Sequence, residues 1–257
     1  MRKNGFIIIG VCLCLVFVFS GCALFKDKAE KTAPELAEEG RAHFEDENYG
    51  KAIEAYKRLK DWYPYSQYAK EAELKIADAH YELEEYEEAL FAYEQFEKLH
   101  PSDPKIAYVI YRMGRCYSDR MKDIDRTQVP TRKALDAFDR LQSRFPDSKY
   151  AEKADPLIKK CQKHLAGHEF YVGEFYFKAD HYKAALARFQ NVVNDYPPVG
   201  DYHKRAEQYI AKARKYIEQE KGDGGSGEKD LHPQVGPEKK PMPGQGQQQG
   251  RQPMPGP

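Results

Sequence analysis

Hydrophobic and polar residues between Thr32 and Gln219 show almost none of the strict alternation that is typical of a half-buried β-strand. The segment is instead rich in Ala, Glu, Lys and Leu, which are good helix formers, and in Tyr, and its prolines are confined to a few positions. This composition predicts that residues 32–219 form one all-α domain.

An apolar pattern occurs four times within this segment, and each copy ends at a proline. An alanine stands twelve positions before the proline, and an aromatic residue stands eight positions before it. Residues four apart lie on the same helix face, so the alanine admits a neighbouring helix and the aromatic ring fills the space beside it. The proline disfavours helical geometry at the preceding residue and ends the helix. The four copies are Ala52, Tyr56 and Pro64; Ala89, Tyr93 and Pro101; Ala134, Phe138 and Pro146; and Ala185, Phe189 and Pro197.

This pattern is the second half of the tetratricopeptide repeat (TPR), a helix-turn-helix unit of about 34 residues. The first half agrees more loosely: Gly40, Ala77 and Gly173 stand 24 positions before their prolines, and Gly114 with Tyr117 supplies the third unit. We therefore predict a tandem TPR solenoid of about four to five repeats. Resemblance to the TPR class implies a right-handed superhelix with a concave groove in which extended peptides commonly bind.

The intervals between the prolines predict where the repeats depart from their common length. The first two prolines are 37 residues apart, whereas the next two intervals are 45 and 51 residues. The first surplus maps to a loop insertion around Asp123–Gln128. The second surplus is close to four helical turns, so we expect one extended helix or two abutting helices within Ala151–Phe177. Pro156 can be tolerated there if it lies in a first helical turn. A helix over Tyr202–Gln219 with a polar outer face is expected to cap the solenoid.

The N-terminus carries the pattern of a lipoprotein signal peptide, which we place at residues 1–21. Two cations precede the uncharged apolar run Phe6–Ser20, which is shorter than the roughly 20 residues of a membrane-spanning helix. The sequence Phe19–Cys22 resembles the bacterial lipobox, which implies that Cys22 is the site of lipid attachment and that residues 22–31 form a lipidated linker. Several acyl chains on one residue would tether the protein stably. An ordinary secretory signal that is cut nearby is the alternative interpretation.

The residues after the cysteine bear on the membrane in which the protein would reside. Ala23 and Leu24 lack the aspartate that retains lipoproteins in the inner membrane. Resemblance to sorted lipoproteins therefore implies a lipid-anchored protein of the cell outer membrane, on its periplasmic face.

The C-terminal residues 220–257 have a different composition from the repeats. They are rich in Gly, Pro and Gln, and no aromatic residue occurs after Gly222. Such a segment cannot bury enough apolar surface to offset the entropy lost on ordering, so we expect a disordered tail.

Charge and hydropathy exclude several classes of protein. The chain of 257 residues has 41 basic and 41 acidic side chains, so it lacks the basic excess that nucleic-acid binding usually requires. A mean hydropathy of −0.83 excludes a polytopic membrane protein. An aromatic content of 13% nevertheless predicts a substantial core.

Candidate chemistry is sparse. The sequence has no Gly-x-Ser-x-Gly elbow, phosphate loop or His-Glu-x-x-His motif, which predicts that the protein is not an enzyme and needs no cofactor. Cys161, His164 and His168 have the spacing of a helical metal stripe, but no second cluster supplies a fourth ligand, so solvated or core residues are the favoured interpretation. Cys116 and Cys161 could form a disulfide in an oxidising compartment, although small buried thiols are favoured.

The groove of a TPR domain is lined by positions of the first helix of each repeat. Aromatic and charged side chains occupy those positions here, and they combine stacking area with hydrogen bonds to a peptide backbone. Ordinary packing or solvated surface is the alternative role. The predicted groove residues are Arg41, Phe44, Asp78, Tyr81, Tyr108, Tyr111 and Arg115.

Several stretches together resemble the BamD family of lipoproteins of the β-barrel assembly machinery. They are the blocks Asn48–Tyr56, Phe96–Pro101 and Arg144–Ala151 and the segment from Leu165 to Pro197. The resemblance implies a non-enzymatic outer-membrane scaffold that binds a POTRA domain of BamA, other Bam lipoproteins and unfolded outer-membrane β-barrel proteins.

The resemblance also points to one partner-binding residue. Arg188 looks like the fourth-repeat arginine that BamD proteins use toward BamA, and an exposed helix-surface cation is the alternative. Another periplasmic TPR lipoprotein, such as a pilotin or a cell-division coordinator, and a metal-dependent enzyme using Cys161, His164 and His168 remain the alternative functions.

Overall fold

The computed structural model describes residues 30–222. The predicted signal peptide, Cys22 and the tail after Gly222 lie outside these residues. The described part forms nine α-helices and no strand, as the composition predicts, and no helix in it is long and apolar enough to span a membrane. The helices are α1 (Ala33–Glu45), α2 (Tyr49–Trp62), α3 (Ala69–Glu82), α4 (Tyr86–Leu99), α5 (Ile106–Asp119), α6 (Val129–Arg144), α7 (Lys149–Lys178), α8 (Tyr182–Asp195) and α9 (Tyr202–Gly222).

The helices form a TPR solenoid, which confirms the predicted fold. Each helix packs against the next one in the chain, and further contacts join α1 with α3, α5 with α7, and α7 with α9. The first helices of the repeats therefore lie side by side on one surface, while the second helices α2, α4, α6 and α8 cover them from the other side. Three apolar clusters follow one another along the solenoid, as expected when each repeat contacts only its neighbours.

The alanine and aromatic positions of the repeat form the contact within each helix pair. The four repeat alanines are fully buried, and the four aromatic residues are at most 4% exposed. A Cβ added at Gly40 would lie 2.5 Å from the Tyr56 ring, and one at Gly173 would lie 2.7 Å from the Phe189 ring. Gly114 is equally close to Phe138. Glycine in the first helix thus makes room for the ring from the second helix.

Three of the turns within repeats share a backbone motif that the sequence pattern does not indicate. Glu47, Glu84 and Asp180 have φ angles of 57°, 60° and 59°, in the left-handed region. In each case the following amide donates to the carbonyl five residues earlier, as in Asn48 to His43 at 2.8 Å. This is a Schellman C-cap, in which glycine usually occupies the left-handed position. The third repeat lacks the motif because the insertion replaces its turn.

The irregular repeats differ from one another as their spacing predicts, with one correction. Residues between α5 and α6 form the inserted loop, and the fourth repeat begins with the single 30-residue helix α7. Pro156 does not lie in a first helical turn, because α7 begins at Lys149 and continues through the proline. The missing amide leaves the carbonyl of Glu152 without its helical donor, a cost that the buried contacts of Ala154 and Ile158 offset.

The end of the solenoid is close to the expected one. Helix α9 covers the predicted capping segment and continues three residues beyond Gln219. Its inner face buries Ala206 and Ala213. Arg205 joins α9 to α7, because its guanidinium bonds Glu174 at 3.2 Å and lies 4.3 Å from the centroid of the Phe170 ring.

Candidate functional site

The groove residues of the first repeat lie at one end of the predicted set. Arg41 is exposed and pairs with Glu38 in the same helix. Phe44 meets the edge of Tyr49 with ring centroids 5.2 Å apart. The ammonium of Lys75, from α3, lies 4.6 Å from the centroid of Phe44, so a cation–π contact links the first repeat to the second.

The second and third repeats are joined through a buried carboxylate. Asp78 is 5% exposed, and its Oδ1 accepts hydrogen bonds from the hydroxyls of Tyr93 and Tyr108, both at 2.6 Å. Arg112 donates from Nε to the Tyr93 oxygen at 2.9 Å, and its other end bonds Glu82 at 3.0 Å. Asp78 was predicted to line the groove, but it lies beneath the surface and holds the residues that do.

The two tyrosines of this network are fixed as hydrogen-bond donors. Burial is the main cause that raises the pKa of Tyr93 and Tyr108 above the ordinary tyrosine value, and the nearby Asp78 carboxylate adds to it. Both hydroxyls therefore stay protonated at any physiological pH. We refer to Asp78, Tyr93, Tyr108 and Arg112 as the Asp78 network.

Arg112 is the functional candidate that the sequence analysis missed. Its guanidinium lies 3.7 Å from the ring centroid of Tyr81 and 5.9 Å from that of Tyr108. It therefore sits between two predicted groove tyrosines from adjacent repeats. The signal in the sequence is its position four residues after Tyr108, on the same face of α5.

A second set of contacts surrounds Tyr81 at the far end of α5. The Tyr81 hydroxyl donates to Asp119, which also accepts a hydrogen bond from Arg115 at 3.2 Å. Burial raises the pKa of Tyr81, and its bond to Asp119 raises it further. Among the residues that the structure describes, none accepts a hydrogen bond from the buried Nε of Arg115.

The remaining tyrosines form the wall next to the long helix. Tyr108 and Tyr111 both contact the ring of Tyr150, at centroid distances of 5.4 and 5.7 Å. Tyr111 also packs at 6.2 Å against Phe138 of the repeat core. Their rings are partly buried, so packing and groove lining are combined in the same side chains.

The structure therefore brings five of the seven predicted groove residues into one connected group of contacts, four of them at the surface and Asp78 beneath it. Asp78, Tyr81, Tyr108, Tyr111 and Arg115 are linked through Arg112, Asp119 and Tyr150 across α3, α5 and α7. Arg41 and Phe44 lie apart from this group. Lys75 joins Phe44 to it, because its ammonium also lies 3.7 Å from the carboxylate of Asp78.

Arg188 lies elsewhere, on the face of α8 that meets α7. Its guanidinium bonds the carboxylate of Glu169 at 3.1 Å, and Asn191 donates to the same carboxylate at 3.2 Å. Glu169 is 6% exposed, whereas the side chain of Arg188 is 21% exposed. Arg188 is thus a partly covered counter-ion of a buried carboxylate rather than a freely solvated cation.

The candidate metal stripe does not converge. The Sγ of Cys161 is buried 3.8 Å from the Sδ of Met121, and burial raises its pKa to about 11. The Nδ1 of His168 donates to the carbonyl of Ile124 at 2.6 Å, and burial lowers the pKa of His164. Over residues 30–222 no three His, Cys, Asp or Glu side chains come close enough to share a metal ion. Cys116 and Cys161 are separate buried thiols, not a disulfide.

Comparison with known proteins identifies similar sequences over the whole described region. The family model described as YfiO, outer membrane lipoprotein, matches residues 29–222. The outer membrane protein assembly factor BamD of Rickettsia prowazekii is 31% identical over 186 residues, which cover 72% of this chain and 74% of that protein. The BamD of Neisseria meningitidis serogroup A is 32% identical over 171 residues, which cover 63% of this chain and 64% of that protein.

Two solved TPR structures are also similar to this chain. The TPR domain of P58(IPK) matches with a TM-score of 0.43 and 15% identity, covering 74% of this chain and 48% of that one. The TPR2AB domain of yeast Sti1, in complex with pHSP90, matches with a TM-score of 0.42 and 16% identity, covering 73% and 71% of the two chains.

Proposed function

We propose that this chain, which belongs to the YfiO family of outer membrane lipoproteins, is a non-enzymatic scaffold for β-barrel assembly. In this role it helps to fold unfolded β-barrel proteins and insert them into the outer membrane. The similar proteins from Rickettsia prowazekii and Neisseria meningitidis are named outer membrane protein assembly factor BamD. The main support for the proposal is the family match over residues 29–222. The TPR surface, on which aromatic and charged side chains cluster, is consistent with it.

The side chains of the predicted groove fit the proposed binding of unfolded β-barrel segments. Strands of outer-membrane barrels alternate apolar and polar side chains and carry aromatic residues near the membrane interfaces. The rings of Tyr81, Tyr108 and Tyr111 offer stacking area for such side chains, while the partly exposed guanidinium of Arg115 offers donors to an extended backbone. The Asp78 network holds Tyr81 and Tyr108 in place before a peptide arrives, which reduces the ordering cost of binding.

Arg188 and its surroundings form the proposed contact with a POTRA domain of BamA. The Glu169 carboxylate fixes the direction of the guanidinium, and the remaining N–H groups can meet a partner carboxylate. Other Bam lipoproteins are further proposed partners, and lipid on Cys22 would hold the complex at the periplasmic face of the outer membrane.

Paired substitutions test the Arg188 contact. Arg188→Glu is a poor variant because it would place a second carboxylate beside the buried Glu169. Arg188→Gln and Glu169→Gln remove one charge each; Glu169→Gln also keeps the shape of the side chain, whereas Arg188→Gln shortens it and removes the guanidinium. If Arg188 bonds BamA directly, affinity-tagged Arg188→Gln should recover less BamA from solubilised membranes, whereas Glu169→Gln should retain it.

The control and the contradicting outcomes follow from the same pair. Both variants need unchanged far-UV circular dichroism and a measured melting temperature. Equal loss of BamA from both variants would show that the ion pair acts by holding the helices, and unchanged recovery from Arg188→Gln would exclude the contact. Failure of the unsubstituted chain to recover BamA would favour another periplasmic TPR lipoprotein.

A further inference from the structure

Two large aromatic side chains are exposed where α2 ends and the turn toward α3 begins. Trp62 is 50% exposed and Tyr65 is 100% exposed. Leu99 occupies the position in the second repeat that Trp62 occupies in the first. It is 61% exposed and lines, together with Lys60, a surface pocket that is separate from the predicted peptide groove. Large apolar side chains clustered at one edge of a protein mark an interaction surface. We call residues 62–65 the aromatic turn.

The N-terminal end of the described chain lies beside the aromatic turn. The hydroxyl of Tyr63 donates to the carbonyl of Lys31 at 3.0 Å, and the ammonium of Lys31 bonds Glu39 at 2.8 Å. These bonds hold the start of the solenoid against the turn. The described chain therefore begins beside the aromatic turn.

Few residues separate the described chain from the predicted lipid site at Cys22. Cys22 is eight positions before Glu30, so the connecting chain spans at most about 28 Å when fully extended. A membrane that holds this lipid would therefore lie within about 28 Å of the start of the described chain, which Tyr63 joins to the aromatic turn.

We propose that the aromatic turn inserts into the headgroup region of the membrane that holds the Cys22 lipid. This inference rests on the lipid anchor in the proposed function. Trp and Tyr favour this region because their rings are apolar while their N–H and O–H groups remain hydrated. Because the lipid tethers the protein to the membrane, the aromatic turn is held near the headgroups at an effective concentration of about millimolar. Two side chains that bind the membrane only weakly need about that concentration to stay inserted.

Charge does not drive this contact. Lys57 and Lys60 lie near the aromatic turn, but the exposed Asp61 is adjacent to Trp62 and opposes attraction to anionic lipid. We therefore expect the contact in vesicles of zwitterionic phosphatidylethanolamine and phosphatidylcholine as well as in vesicles that contain phosphatidylglycerol. High salt should leave it unchanged.

The single tryptophan of the chain makes the test direct. Because Trp62 is the only tryptophan, its emission reports on the aromatic turn alone. The processed, lipidated full-length protein is purified from membranes and reconstituted into vesicles with or without brominated acyl chains. We expect brominated lipid to quench Trp62, iodide quenching to fall severalfold relative to the protein in lipid-free buffer, and the emission maximum to move to shorter wavelength.

Two variants serve as controls. Tyr65→Ser alters a fully exposed side chain, so it leaves the fold intact and should increase iodide quenching of Trp62 in vesicles. Trp62→Phe combined with Tyr171→Trp moves the single tryptophan to a site on α7 that is 45% exposed. This relocated tryptophan should stay open to iodide although the protein still floats with the vesicles.

The outcomes separate this inference from the anchor itself. Protein that floats with vesicles while Trp62 remains as open to iodide as in buffer would overturn the contact and leave the anchor standing. Protein that does not float would overturn the anchor and, with it, the membrane contact of the aromatic turn.

Discussion

The Asp78 network offers the sharpest test of how this solenoid holds its groove. Asp78→Ala removes the acceptor of two buried tyrosine hydroxyls and leaves Arg112 with Glu82 as its counter-ion. A buried donor without an acceptor costs about 1–3 kcal/mol, and breaking a buried charge pair costs about 3–5 kcal/mol. Because Glu82 still compensates Arg112, we expect a loss of about 3–4 kcal/mol in the free energy of unfolding.

A graded series separates the charge from the hydrogen bonds. Asp78→Asn keeps one oxygen acceptor and the shape of the side chain, so it should lose only about 1–2 kcal/mol. A double-mutant cycle between Asp78→Asn and Tyr108→Phe should show a coupling of roughly 1 kcal/mol, since the two side chains bond directly. Urea unfolding followed by circular dichroism, with an unchanged m-value, measures each quantity.

Two results would refute the reasoning. An Asp78→Ala variant within about 0.5 kcal/mol of the unsubstituted protein, the range of an ordinary surface change, would show that the network contributes no stability. A normal stability with lost peptide binding would mean that Asp78 contacts the ligand directly, as the sequence analysis first predicted.

Three further predictions concern packing, backbone strain and thiol reactivity. Gly114→Ala should lower the free energy of unfolding by about 1–3 kcal/mol because the added Cβ would overlap the buried ring of Phe138. Gly50→Ala has open space around the added Cβ, so it should be neutral or stabilising. Urea unfolding of both variants distinguishes a steric effect from an effect of helix propensity. Glu84→Gly should relieve left-handed strain and be more stable than Glu84→Ala by about 1 kcal/mol in the same assay, and the opposite order would exclude the strain. Burial raises the thiol pKa values of Cys116 and Cys161 to about 12 and 11, so both should react with a thiol reagent at neutral pH only after denaturation, and rapid labelling of the native protein would contradict the burial.

The repeat architecture could be predicted because it depends on side chains whose spacing is visible in the sequence. Ala52 and Tyr56 occupy fixed offsets from a proline, and the same offsets in the other repeats form the same helix contact. The surplus of residues before the fourth proline likewise predicted the long helix α7. Proline propensity was less informative, since contacts along α7 accommodate Pro156 inside the helix.

The candidate site was only partly predictable because position on a helix does not determine burial. Asp78 and Tyr81 occupy equivalent-looking positions on α3, yet Asp78 is covered by tyrosines from two neighbouring helices. Arg112 went unnoticed because its role depends on Tyr81, 31 residues earlier in the chain. The pairing of Arg188 with Glu169 likewise joins two helices whose relative rotation the sequence does not state.

Photo-crosslinking in living cells tests the central claim, that the groove receives unfolded β-barrel proteins. A photoreactive amino acid replaces Tyr111 in the groove or, as a matched control, Phe91, which is 65% exposed on the second-helix side of the solenoid. We expect the photoreactive residue at position 111 to capture newly exported outer-membrane β-barrel proteins and the one at position 91 not to capture them. Equal capture at both positions, or none at position 111 while the protein still co-purifies with BamA, would contradict it.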